Sequence, residues 1–150
     1  MPDAREIPRT LCRGVSRALS QRGFVTLAEV PLADGRRADL VALGRDGTLV
    51  IIEIKSSVAD FRADRKWPEY RQWCDRLYFA VAEGFPLELI PEECGLVLAD
   101  GFGAAFLREP REERLGAARR RALQLRFARL AGSRLQRLLD PAAQDPDTVV

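Results

Sequence analysis

The chain of 150 residues contains no histidine. That absence excludes a Ser-His-Asp triad, a papain-like Cys-His pair, the H-E-x-x-H zinc motif and imidazole acid/base chemistry. A metal would have to be held largely by oxygen, which points to Mg²⁺ or Mn²⁺. Lysine is nearly absent too. Of 24 basic residues only Lys55 and Lys66 are lysines. Lysine is a compact charge with a tunable pKa, which arginine cannot replace in proton chemistry. Cys12, Cys74 and Cys94 are too far apart for a C-x-x-C motif and read as small buried hydrophobes. No apolar run approaches the ~20 residues of a membrane span. Met1–Glu6 mixes both charge signs and leads into no apolar core, unlike a signal peptide, so the expected location is the cytoplasm.

The chain is 47% hydrophobic and 31% charged, a balance suited to a folded domain. Its length suits one domain, expected over residues 1–140, with 141–150 as a mobile tail holding two prolines and two aspartates. The net charge of +2 is weak evidence for a nucleic-acid partner, but arginine is unevenly spread. Nine arginines stand against Glu112 and Glu113 between Arg111 and Leu139, and basic residues cluster between Arg62 and Arg76. An arginine-rich helix can track a phosphate backbone, contact a partner protein, or be an ordinary surface helix.

Pro8 suits the first turn of a helix running to about Gln21, with Gly23 as its stop. Strands are predicted over Phe24–Val30, Arg37–Leu43 and Thr48–Ile54, joined by Ala33-Asp34-Gly35 and Asp46-Gly47 turns into an antiparallel meander. A helix follows Ser56-Ser57. Pro68 should then interrupt at Trp67 and open a second helix through Tyr70, Trp73 and Cys74. Leu77–Ala82, Gly95–Ala99 and Ala104–Leu107 read as further strands, with a loop or short helical turn at Leu87–Pro91. The spacing of Leu115, Leu123, Phe127, Leu130, Leu135 and Leu138 predicts a long helix from about Glu113 to Leu139.

Glu53 and Lys55 end the most strongly patterned strand and point to one face, because strand side chains alternate. Asp39, on the preceding strand, is expected beside or diagonal to Glu53. Two carboxylates across a strand pair repel, and a divalent cation between them removes that cost. The Ile54 carbonyl is a natural extra ligand, and Glu29, across the first turn, a third carboxylate. Such a metal would lower the pKa of its water and neutralise an attacked phosphate, with Lys55 holding or deprotonating that water. With 22 acids and two lysines, chance gives about 0.3 acid-x-Lys matches. The bland alternative is an exposed Glu-Lys pair solvating a strand end.

The α-β-β-β-α-β order with Asp39 and Glu53-Ile54-Lys55 resembles the PD-(D/E)XK nuclease superfamily. More narrowly, Gly35–Asp39, Glu53–Ser57, Asp60-Phe61-Arg62, Asp64–Trp67, Tyr70, Cys74-Asp75 and Tyr78–Val81 resemble the MmcB-related DNA repair family of proteobacteria. The resemblance implies an α/β fold with a restriction endonuclease-like core, a central mixed sheet flanked by helices, and a long C-terminal helix. It implies DNA repair by a Mg²⁺-dependent (or Mn²⁺-dependent) phosphodiesterase whose catalytic residues are Asp39, Glu53 and Lys55. Ala38 stands where the wider pattern has proline, and Glu29 lies on a strand where the first acid usually comes from the opening helix. In that superfamily the helix after E-x-K often adds a basic or polar group. Lys66 fits that role, with Arg62 beside it and Trp67 and Tyr70 able to stack on a base or pack in the core. DNA is the implied partner, alongside a repair protein or a second copy of the chain, and no membrane. Rival readings are a non-catalytic DNA-binding or scaffolding factor and an RNA-processing nuclease.

Overall fold

The computed structural model describes residues 5–148. The first four residues of the charged N-terminal segment, and the last two of the expected tail, lie outside the described residues. Helix α1 spans Glu6–Gln21 and carries Pro8 in its first turn. It ends in a reciprocal cap: Phe24 N–H donates to the Leu19 carbonyl and Gly23 N–H to that of Ser20, with Gly23 at φ 84°. That use of Phe24 delays strand β1 to Val25–Pro31.

Strands β2 (Arg37–Leu43), β3 (Leu49–Lys55), β4 (Arg76–Val81), β5 (Gly95–Ala99) and β6 (Ala104–Arg108) complete one six-stranded sheet in sequential order. The first three strands form the expected antiparallel meander, β3, β4 and β5 are parallel, and β6 returns antiparallel. The fold is therefore α/β with a mixed sheet. Every residue of β3 is buried, because β3 lies in the middle of the sheet and both its faces are covered.

One face packs against α1 through Leu11, Val15 and Leu19. Gly14 lets that helix sit against the β5–β6 turn, where a β-carbon would overlap the Asp100 carbonyl. The other face is covered by the β3–β4 crossover and by helix α3, Ala117–Leu139, through Leu123 and Phe127. The crossover contains α2 (Val58–Ala63) and a 3₁₀ helix, Trp67–Trp73. Phe61 and Trp67 each meet buried Phe79 edge-on at 5.5 Å, contacts worth about 0.5–1.5 kcal/mol apiece beyond area burial.

Three expectations change here. The Pro68 helix is 3₁₀, includes Trp67, and stops at Trp73, because Cys74 is already extended and Asp75 N–H bonds the Leu49 carbonyl of β3. The long helix begins at Ala117 rather than Glu113. Asp75 takes the N–H groups of Glu113 and Leu115, which holds that stretch extended until Gly116. Leu135 and Leu138 are exposed, at 57% and 80%, since only the first half of α3 lies over the core. In the C-terminal segment, Asp147 and Asp145 fold back onto Arg129 and Arg137, at 3.2 and 3.8 Å.

Candidate functional site

The β2–β3 ladder runs from Leu43–Leu49 to Leu40–Ile52. One step further, Asp39 faces Glu53 and the carboxylates take over the pairing. Asp39 N–H donates to Glu53 Oε2 at 3.0 Å, and Ile54 N–H donates to Asp39 Oδ2 at 2.9 Å. The two acids thus sit in the seam between the strands at the C-terminal end of β3, where parallel α/β sheets commonly bind ligands. Glu53 is 3% exposed. Burial first, and then the Asp39 carboxylate beside it, push the Glu53 carboxyl well above the usual range.

Lys55, 6% exposed, excludes the solvated-pair alternative. Its Nζ lies 2.7 Å from Asp64 Oδ2. Asp64 closes α2, whose start is fixed by Ser57 Oγ accepting Asp60 N–H and Asp60 accepting Ser56 N–H. Asp64 is the site residue that sequence reasoning left without a role. A signal was present in an acid that follows Ser57-x-x-Asp60 by one turn and so returns to the strand end.

The 3₁₀ helix forms a wall of the site. Tyr70 donates its hydroxyl to the Arg37 carbonyl at 3.0 Å, and Trp73 donates to Asp34 at 3.0 Å. Burial, followed by the charge of Glu53, raises the Tyr70 phenol above its ordinary value. Trp67 packs on Phe79, and Arg71 lies over its ring at 5.4 Å. The side chains of Arg62 and Lys66 are exposed and make no ion pair among the described residues.

Glu29 stays apart. Its side chain is 68% exposed and its carboxylate is 3.9 Å from Arg37. Its backbone is left-handed, φ 50°, the one non-glycine residue so placed among the described residues. Arg134 of α3 grips this kink, donating to the carbonyls of Ala28 and, at 2.8 Å, Glu29. Among the described residues no three Cys, Asp or Glu side chains gather as a metal cluster. The donor set that does converge is the Asp39–Glu53 pair. It suits Mg²⁺, which takes one or two carboxylates and completes its shell with water and phosphate oxygens.

A cavity of about 240 Å³ opens beside Asp39 on the α1 side, where Arg9 and Cys12 of α1 meet Ala28, Glu29, Asp39 and Ile54 of the sheet. A wider depression of about 480 Å³ lies at the other end of the sheet, between Gln21–Phe24 and Gly44–Asp46, remote from these residues.

A family model described as DNA repair protein MmcB-like matches residues 3–142. The chain is similar to a solved protein of unknown function from Silicibacter pomeroyi. The two are 46% identical, with a TM-score of 0.89 over 91% of this chain and 94% of that one. No curated protein matches.

Proposed function

This chain belongs to the MmcB-like DNA repair protein family, and from that premise we propose that it is a Mg²⁺- or Mn²⁺-dependent DNA phosphodiesterase with a PD-(D/E)XK, restriction endonuclease-like core. The observation that carries the reading is Glu53, a buried carboxylate set against Asp39 with no protein cation on either acid among the described residues. A buried acid without a partner is costly, and a divalent ion from solvent offsets that cost.

Asp39 and Glu53 would hold the ion, with the Ile54 carbonyl as a further oxygen donor and Glu29, which stands apart, reaching it only through a bound water. When bound, it supplies a more acidic water and charge neutralisation at phosphorus. Lys55 contributes a fixed ammonium at the strand end. Asp64 holds it in place, so it can stabilise the negative charge that grows on the phosphate oxygens without first being oriented. Tyr70 braces the β2 backbone ahead of Asp39. Arg62 and Lys66 supply phosphate contacts, and Trp67 and Tyr70 border the strand path. The protein is read as cytoplasmic, working with a repair partner or a second copy of itself. Among the described residues no helix is long and apolar enough to cross a membrane.

A second reading, a non-catalytic DNA-binding repair factor on the same fold, is favoured by one observation: no third acid joins the pair among the described residues. Branched, flapped, abasic and single-stranded DNA incubated with Mg²⁺ or Mn²⁺ separates the two. Cleavage that falls about 10²- to 10³-fold in both Glu53→Ala and Lys55→Ala supports the enzyme. Wild type that binds DNA and cuts none of these, with both variants binding equally well, overturns it.

A further inference from the structure

Helix α1 carries Arg9, Arg13 and Arg17 at four-residue intervals, so the three guanidinium groups rise about 6 Å apart along one line. All three are exposed. They lie about half a turn from Leu11, Val15 and Leu19, which pack on the sheet. Like charges four apart on a helix repel, and Glu6 is the one acid in α1. No salt bridge or side-chain hydrogen bond relieves that repulsion among the described residues.

Five of the seven arginines of α3 differ, and Arg121 and Arg126 stay exposed without an ion pair among the described residues. Arg120 is bound to Asp75, Arg119 lies 4.6 Å over Trp73, Arg134 grips β1, and Arg129 and Arg137 hold the C-terminal segment. The α1 arginines are therefore an uncommitted row of three, and unlike Arg121 and Arg126 that row ends at the cavity beside Asp39. Arg9 lines the 240 Å³ cavity beside Asp39. That space is below the ~300–1,000 Å³ of a drug-sized pocket and suits one nucleoside. Cys12, Ala28 and Ile54 form the apolar part of its lining, fit for a base or sugar face, beside the acids Glu29 and Asp39. Bases in a duplex stay stacked, so only an unpaired nucleoside can enter.

We propose that the outer face of α1 is a track for a single strand of DNA, whose phosphates follow Arg17, Arg13 and Arg9 and whose unpaired nucleoside enters the cavity beside Asp39. The inference rests on reading the Asp39–Glu53 pair as the DNA site, and adds to it the form of the substrate and the path it takes.

The test is fluorescence anisotropy with the full chain, without divalent cation, on a labelled single-stranded oligonucleotide and on the blunt duplex of the same sequence. Arg9→Gln/Arg13→Gln/Arg17→Gln should weaken single-strand binding at least tenfold and flatten its salt dependence by about 2 log units per log unit of salt, about 0.7 for each lost phosphate contact. Arg121→Gln/Arg126→Gln, which removes exposed α3 charge, should shift affinity less than twofold. Cys12→Phe, which fills the cavity, should weaken single-strand binding and leave the salt slope unchanged. Circular dichroism melting confirms that each variant is folded. Unchanged affinity and slope in the triple variant overturn the proposal. So does an equal loss in the α3 control, a wild-type preference for the duplex, or wild-type affinity in folded Cys12→Phe. Cleavage is scored separately in Mg²⁺. Binding through α1 without cleavage overturns the phosphodiesterase alone, and cleavage with triple-variant binding intact overturns the track alone.

Discussion

Asp75 and Glu53 are acids of equal burial, 2% and 3% exposed, set near opposite ends of two neighbouring central strands. Their surroundings are opposite. Asp75 accepts both arms of Arg120 at 2.6 and 2.7 Å and the N–H groups of Leu49 and Leu115. Burial pushes its carboxyl up, but those donors more than offset it and hold the group below its ordinary value. Glu53 accepts one N–H and faces a second acid, and its carboxyl is driven upward. Burial alone therefore does not mark a functional acid in this sheet. What separates the two is that the protein supplies a cation to Asp75 and, among the described residues, none to Glu53; on the function proposed above, that cation comes from solvent.

The contrast can be broken most forcefully at Asp75. Asp75→Ala leaves Arg120 and two backbone donors without their partner and should cost about 3–5 kcal/mol in urea denaturation at neutral pH. Because the folded pKa of Asp75 is depressed, this deficit should stay constant down to the unfolded value of about 3.9 and close as pH falls through the folded value. A deficit that widened in acid would refute the assignment. Next in size, Mg²⁺ at 100 times its dissociation constant should stabilise wild type by about 2.7 kcal/mol and leave Glu53→Ala unmoved, as read from denaturation midpoints. Equal stabilisation of both proteins would place the ion elsewhere.

Arg134→Ala sharpens the comparison by removing a cation whose partners are neutral carbonyls. A loss of about 1–2 kcal/mol is expected, measured the same way. Leu138→Glu, at a side chain 80% exposed, should stay within about 0.5 kcal/mol and supplies the baseline for α3.

Much of this arrangement is legible in the sequence, for identifiable reasons. Gly23, Asp34-Gly35 and Asp46-Gly47 are local turn chemistry, and they fix where the meander folds. Arg37–Leu43 is read to its ends, and Asp39 falls opposite Glu53 because hairpin register follows from the Asp46-Gly47 turn. What sequence could not supply depends on distant partners. Asp75 reaches 40 residues to Leu115 and so moves the start of α3. The left-handed backbone of Glu29 is gripped by Arg134, 105 residues further on, and Lys55 finds Asp64 only once α2 has folded back. The outward turn of Leu135 and Leu138 reflects how far the sheet extends beneath α3, which helical periodicity does not encode.

The grip of Arg134 on Ala28 and Glu29 spans 106 and 105 residues. During synthesis β1, an edge strand of the sheet, emerges about 105 residues before Arg134, and those carbonyls lack that donor until Arg134 has left the ribosome. An open edge of this kind invites pairing with other chains. The long interval makes α3 the last fastening to close, so aggregation of nascent chains, and of truncations ending before residue 134, should begin at β1.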